Sequence, residues 1–197
     1  MPKVVNRERR RGDLARAAAR VIARIGLEGV TVQTVAAEAE CSAGSIAHYF
    51  RNKDELLLHA LRAVTEPLLA ALREPREPLS TVESLREVAH ASLPLDPARE
   101  RDWRVRLAFW TRASGPPEEV QLSRHQLGEW RSLWERTLRD LQASGAIRPD
   151  AEAGEAASAL VALLIGTATQ LLVRPRDGGA RQAEAVESWF RVLALRC

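Results

Sequence analysis

Residues 31–53 read TVQTVAAEAECSAGSIAHYFRNK, and this stretch decides the fold. Val32, Val35, Ala36 and Ala39 fall at i, i+3, i+4 and i+7, the spacing that gathers apolar side chains on one face of a helix. Thr31 stands just before them, where its hydroxyl can accept from the free amides at the helix start. Glu40, Cys41 and Ser42 provide the length that a tight helix–helix turn needs. Ser42 then caps a second, shorter helix in which Ile46 and Phe50 turn inward with Ala43 behind them. Gly44, Ser45, Ala47, His48 and Tyr49 are left on the outer side, small at its start and hydrogen-bonding further on. A helix that reads DNA must approach base edges closely and then grip the phosphates beside them, and this face has that order.

Charge supports the same expectation. Residues 1–53 carry 10 Lys and Arg against 5 Asp and Glu, whereas residues 54–197 hold 19 against 21 of the chain totals of 29 and 26. The positive end is the end with the paired helices, as phosphate neutralisation requires. With 197 residues, 46% hydrophobic and only 5% aromatic, the chain can bury a substantial core, and its richness in Ala, Leu, Arg and Glu favours helices. The two cysteines, Cys41 and Cys197, form no metal spacing and suit a reducing cytosol. The start, MPKVVNRERRRGD, has no apolar signal segment, and the longest apolar run, 156–173, is broken by Ser158, Gly166, Thr167, Thr169 and Gln170. It predicts a buried or interface helix rather than a membrane span.

Here the pattern becomes recognisable. Thr31, Val32, Val35, Ala36, Ala39, Ser42, Gly44, Ser45, Ile46, Tyr49, Phe50 and Lys53 match the signature T-V-x-x-I-A-x-x-A-G-V-S-x-G-T-L-Y-x-Y-F-x-x-K. The first third of the chain thus resembles the DNA-binding domain of the TetR family of bacterial transcriptional regulators. Three residues depart from the signature: Glu40 replaces a turn glycine, Cys41 a buried valine, and Ala47 a frequent DNA-contacting tyrosine. The resemblance implies a DNA-contacting set of Thr31, Gln33, Ser42, Ala43, Gly44, Ser45, His48, Tyr49 and Lys53.

Working outward, the periodicity predicts helices over 7–25, stopped by Gly26, and over 53–73, capped by Asn52 and containing Pro67. Further helices are expected over 81–93, 99–114, 117–143, 151–174 (capped by Asp150) and 180–196. The expected fold is all-α: a three-helix helix-turn-helix domain at 1–52 and a larger effector-binding and dimerisation domain of about six helices at 53–197.

The later segments resemble, more weakly, the regulatory domain of the BetI-like subgroup, in which the last two helices pair with those of a second subunit. Leu160, Leu163, Leu164, Gly166 and Leu171, with Trp189 and Phe190 of the last helix, are the candidate dimer residues. A helix apolar nearly all round must be covered on both sides. Four of five tryptophans lie between 103 and 134. Trp103, Leu107, Trp110, His125, Trp130 and Trp134 are the candidate effector set, since indoles offer wide apolar walls and one N–H donor. No nucleophile–base order, paired-carboxylate motif, phosphate loop or zinc spacing is present, so neither an enzyme nor a metal or cofactor is expected. The sequence thus points to a cytoplasmic regulator, a repressor by the family's habit, that binds an operator in double-stranded DNA as a homodimer and answers to a small molecule. The alternative is a helical interaction or carrier protein without sequence-specific DNA binding.

Overall fold

The computed structural model describes residues 2–75, 79–112, 115–173, 184 and 186–191. Its helices are α1 (Pro2–Ile25), α2 (Val32–Glu38), α3 (Ala43–Tyr49), α4 (Lys53–Arg73), α5 (Val82–Ser92), α6 (Pro97–Trp110), α7 (Pro117–Ala143) and α8 (Ala153–Val173). Residues 186–191 are helical as well, and the described residues contain no strand. They fall into two compact units, one of residues 1–67 and 101–124, the other of residues 68–100 and 125–197.

The first unit is built around α1. Leu14, Ala18, Val21 and Ile22 are buried with Val35 of α2, Ile46 and Phe50 around α3, and Leu56, Leu57, Ala60, Leu61 and Val64 of α4. Val105 and Phe109 of α6 belong to the same core. Gly26 ends α1 at φ 74°, donating its amide to the Ile22 carbonyl at 2.8 Å. Asn52 caps α4 as expected, its Oδ1 accepting from the Glu55 amide at 2.8 Å. Helix α4 runs through Pro67, and one turn before it the Val64 carbonyl accepts two hydrogen bonds from the Arg106 guanidinium. Arg106 is buried and stacks over Trp103 at 5.2 Å, where a solvent-facing arginine is the simpler expectation from sequence. Burial pushes its pKa down to about 10, so it keeps its charge at neutral pH.

The second unit buries Leu85, Ala89 and Leu93 of the α5 region, Trp130, Leu133, Trp134, Leu138 and Leu141 of α7, Leu160 and Leu164 of α8, and Val186 and Phe190. By length and composition α8 is apolar enough to cross a membrane, yet its line Ala153, Ala157, Leu160, Leu164, Ala168 is buried. The opposite side, with Ala159, Ala162, Thr169, Gln170 and Val173, is exposed.

Boundaries shift in three places. Helix α1 begins at Pro2, five residues before the apolar periodicity starts, and α6 stops at Trp110. Asp150 does not cap α8: its carboxylate is held by Arg148 Nε at 2.6 Å, and Glu152 accepts from the Gly154 amide instead, at 3.0 Å. Most of the expected helix over 180–196 lies outside the described residues.

Candidate nucleic-acid interface and sensing residues

Helices α2 and α3 have seven residues each, too short to persist alone, so their ends must be fixed locally. Thr31 Oγ1 accepts from the Thr34 amide at 3.0 Å, and Thr34 Oγ1 accepts from the Thr31 amide at 2.9 Å, a reciprocal capping box. Ser42 Oγ accepts from the Ser45 amide at 3.1 Å and caps α3. Between the two, the Cys41 amide donates to the Ala36 carbonyl (2.9 Å) and the Glu40 amide to the Ala37 carbonyl (3.3 Å). This crossed pair is the helix end that wants a left-handed residue, normally glycine. Glu40 takes that conformation at φ 50°, and Cys41 packs half-buried against the core as a small hydrophobe.

With these ends fixed, Ile46 and Phe50 are buried while Gly44, Ala47 and His48 face solvent. Thirty-one, 33 and 42, occupied by Thr31, Gln33 and Ser42, are exposed too; Ala43, Ser45, Tyr49 and Lys53 are half-covered. Tyr49 meets the His48 ring edge-on at 5.2 Å and leans on the core, so its hydroxyl is carried on a supported ring. The Thr31 and Ser42 hydroxyls already serve as caps.

The periodicity reading passed over Arg11. It reaches Glu55 Oε1 at 2.9 Å and His59 Nε2 at 2.7 Å, and lies over the Phe50 ring at 5.1 Å. Burial, then the Arg11 charge, lowers the His59 pKa. Arg11 thereby ties α1 to the end of α3 and the first turns of α4. The signal was available, because residues 11, 14, 18 and 21 share one helix face. At the other end of α1, Arg20 and Arg24 both hold Glu38 of α2, at 2.6 and 2.9 Å. Arg112 links Glu28, in the turn after α1, to Glu119 of α7 at 3.4 and 3.5 Å.

The candidate effector residues separate by unit. In the first, Trp103 is wholly buried and edge-on to the half-buried Trp110 at 5.9 Å, with Leu107 part-covered beside them. In the second, Trp130 and Trp134 are buried, and the Trp134 indole N–H and the Gln126 Oε1 have no hydrogen-bond partner among the described residues. His125 lies on α7 with its side chain 74% exposed and 3.9 Å from Glu129. Of the candidate dimer residues, Leu160, Leu164 and Phe190 are fully buried. Leu163, Gly166, Leu171 and Trp189 remain part-exposed.

Residues 14–60 match the family model described as "Bacterial regulatory proteins, tetR family", and residues 81–190 match "BetI-type transcriptional repressor, C-terminal". The chain belongs to the TetR family. It is 35% identical over 168 residues to the HTH-type transcriptional regulator BetI of Burkholderia thailandensis, spanning 84% of this chain and 83% of that protein. A transcriptional regulator from Rhodococcus sp. Rha1 superposes with a TM-score of 0.78 at 30% identity, covering 93% of this chain and 95% of that one. Another, from Saccharomonospora viridis in complex with choline, gives 0.82 at 25% identity, over 93% and 96%. The protein is therefore a TetR-family transcriptional regulator and not an enzyme, and the helix-turn-helix assigned from residues 31–53 is its DNA-binding element.

Proposed function

We propose that this chain is a repressor that binds a palindromic operator as a homodimer in the cytoplasm and is released by a small molecule. The head at residues 1–52 reads the operator, and residues 53–197 carry effector sensing and dimerisation. The observation that carries the reading is the outer face of α3, where Gly44, Ala47 and His48 stand exposed on a helix whose other side is locked into the α1–α4 core. Such a face can enter a major groove without exposing its core.

The second copy is assigned to the uncovered side of α8, where Ala159, Ala162 and Gly166 allow close approach; a Cβ added at Gly166 would meet nothing within 4 Å. Two heads held by that contact would have to sit about 34–36 Å apart to enter successive major grooves. Effector binding is read as a population shift away from that spacing. Within the second unit, the Trp134 N–H and Gln126 Oε1, which have no hydrogen-bond partner among the described residues, are polar groups an effector would satisfy. A small, largely apolar molecule suits these groups. The choline held by the Saccharomonospora viridis regulator makes a hydrophobic cation the second reading. A cation would need a ring other than Trp103, whose face already carries Arg106.

The test is to select bound fragments from the source genome, measure their affinity by gel shift, and titrate choline and neutral apolar compounds while following Trp fluorescence. Tyr49→Phe, which keeps the ring packed on the core, should cost about 1–3 kcal/mol of operator affinity with melting nearly unchanged. Selection of no common sequence by the native protein would overturn the proposal. Compounds that quench fluorescence without altering DNA affinity would remove the effector site alone.

A further inference from the structure

The inward line of α1 changes character at its outer end. Residues 14, 18 and 21 are core, and the same face continues outward through Arg11 to Arg7, with Arg10 on its flank. Arg11 meets Phe50, Glu55 and His59, which fixes this face beside the end of α3 and the first turns of α4. Arg7 lies one turn, about 6 Å, further along the helix axis. Arg51 stands at the same junction, its side chain 88% exposed and joined to Glu55, the carboxylate that Arg11 already uses. Lys53, of the candidate DNA-contacting set, is two residues on. Arg7 is exposed and Arg10 half-buried. One carboxylate is thus shared by two arginines, with further cations beside it.

We propose that Arg7 and Arg10 of α1, together with Arg51, form a second phosphate-binding surface that grips the DNA backbone flanking the sequence read by α3. This rests on the DNA-binding reading and extends it from one helix face to a continuous basic edge. The occupant is a DNA backbone because the surface offers three guanidinium groups, and because Arg11 ties this end of α1 to Phe50, at the end of the reader helix. A helix seam that is apolar over its core and arginine beyond it suits an anionic neighbour. Arg9 lies on the opposite side of α1, which provides an internal control in charge and position.

The experiment uses the full-length chain and operator duplexes of two lengths, one ending at the selected palindrome and one extended by several base pairs on each side. The native protein should bind the longer duplex more tightly. The Arg7→Gln/Arg10→Gln double variant should lose that preference, weaken binding to the long duplex about tenfold, and flatten the dependence of log affinity on log salt by roughly 1–2 units per head. Arg51→Gln should move the same readouts in the same direction, and Arg9→Gln should leave the length preference in place. Circular dichroism melts of each variant establish that the head is folded. A double variant with the native length preference and salt slope would overturn the inference while leaving operator binding intact. So would an Arg9→Gln protein that loses as much as the double variant, since that would mark a diffuse charge effect. A native protein that binds no duplex would overturn the operator reading as well.

Discussion

The reader around α2 and α3 and the body helix α8 solve opposite problems. Helices α2 and α3 are short and polar at their ends, and they exist because caps and a shared core hold them. Their apolar residues Val35, Ala36 and Ile46 are fully used inside the unit, leaving a small polar face outward. Helix α8 is 21 residues long and strongly apolar, and it leaves Ala159, Ala162 and Val173 exposed. One region therefore presents polarity on a closed core, and the other presents apolar surface on a long helix. The first kind of face suits DNA and the second suits a protein.

The sharpest way to break this contrast is at α8. Leu164→Asp puts a charge where nothing is exposed and should cost roughly 4 kcal/mol, giving unfolded or insoluble protein in chemical denaturation. Ala162→Arg alters only the uncovered side, so it should melt like the native protein yet elute as a monomer in light scattering. A native protein that is itself monomeric would erase the difference between the regions.

In the reader the expected effects are smaller and local. Thr34→Ala removes half of the capping box and should lower stability by about 1 kcal/mol, visible as a fall in Tm. Glu40→Gly should raise stability by up to about 1 kcal/mol, because glycine adopts φ 50° without the Cβ penalty. A Tm that falls instead would mean that the Glu40 side chain contributes more than its backbone costs.

The pH dependence of the head follows from His59. Burial and Arg11 hold its pKa below the ordinary 6.5, so the unfolded chain binds the proton more readily than the folded one. The Arg11–His59 contribution is present above pH 6.5 and is lost as pH falls below it. Melting followed from pH 7.5 to 5 should show this loss, and His59→Gln should reduce its slope.

The reader was legible in the sequence because its determinants are local. Caps lie within three residues of their targets, turn length is counted along the chain, and a 3.6-residue period marks Val35, Ala36, Ile46 and Phe50 as core. The same locality gave the Gly26 stop and the Asn52 cap. The burial of Arg106 was not legible, and the helix face that Arg11 shares with Leu14, Ala18 and Val21 showed where it lies but not what it holds. A charged side chain counts as a surface residue in any periodicity, and only a distant acceptor makes its burial tolerable: the Val64 carbonyl, 42 residues away, for one, and Glu55 with His59 for the other. Leu160, Leu164 and Phe190 show the same limit from the apolar side. Their hydrophobicity determined that they would be covered, but whether the cover comes from the same chain or a second copy depends on which helices pack together. Sequence fixes the periodic faces and the helix ends, because both are short-range. Tertiary packing decided which face meets which neighbour, because that choice is made by contacts far apart in the chain.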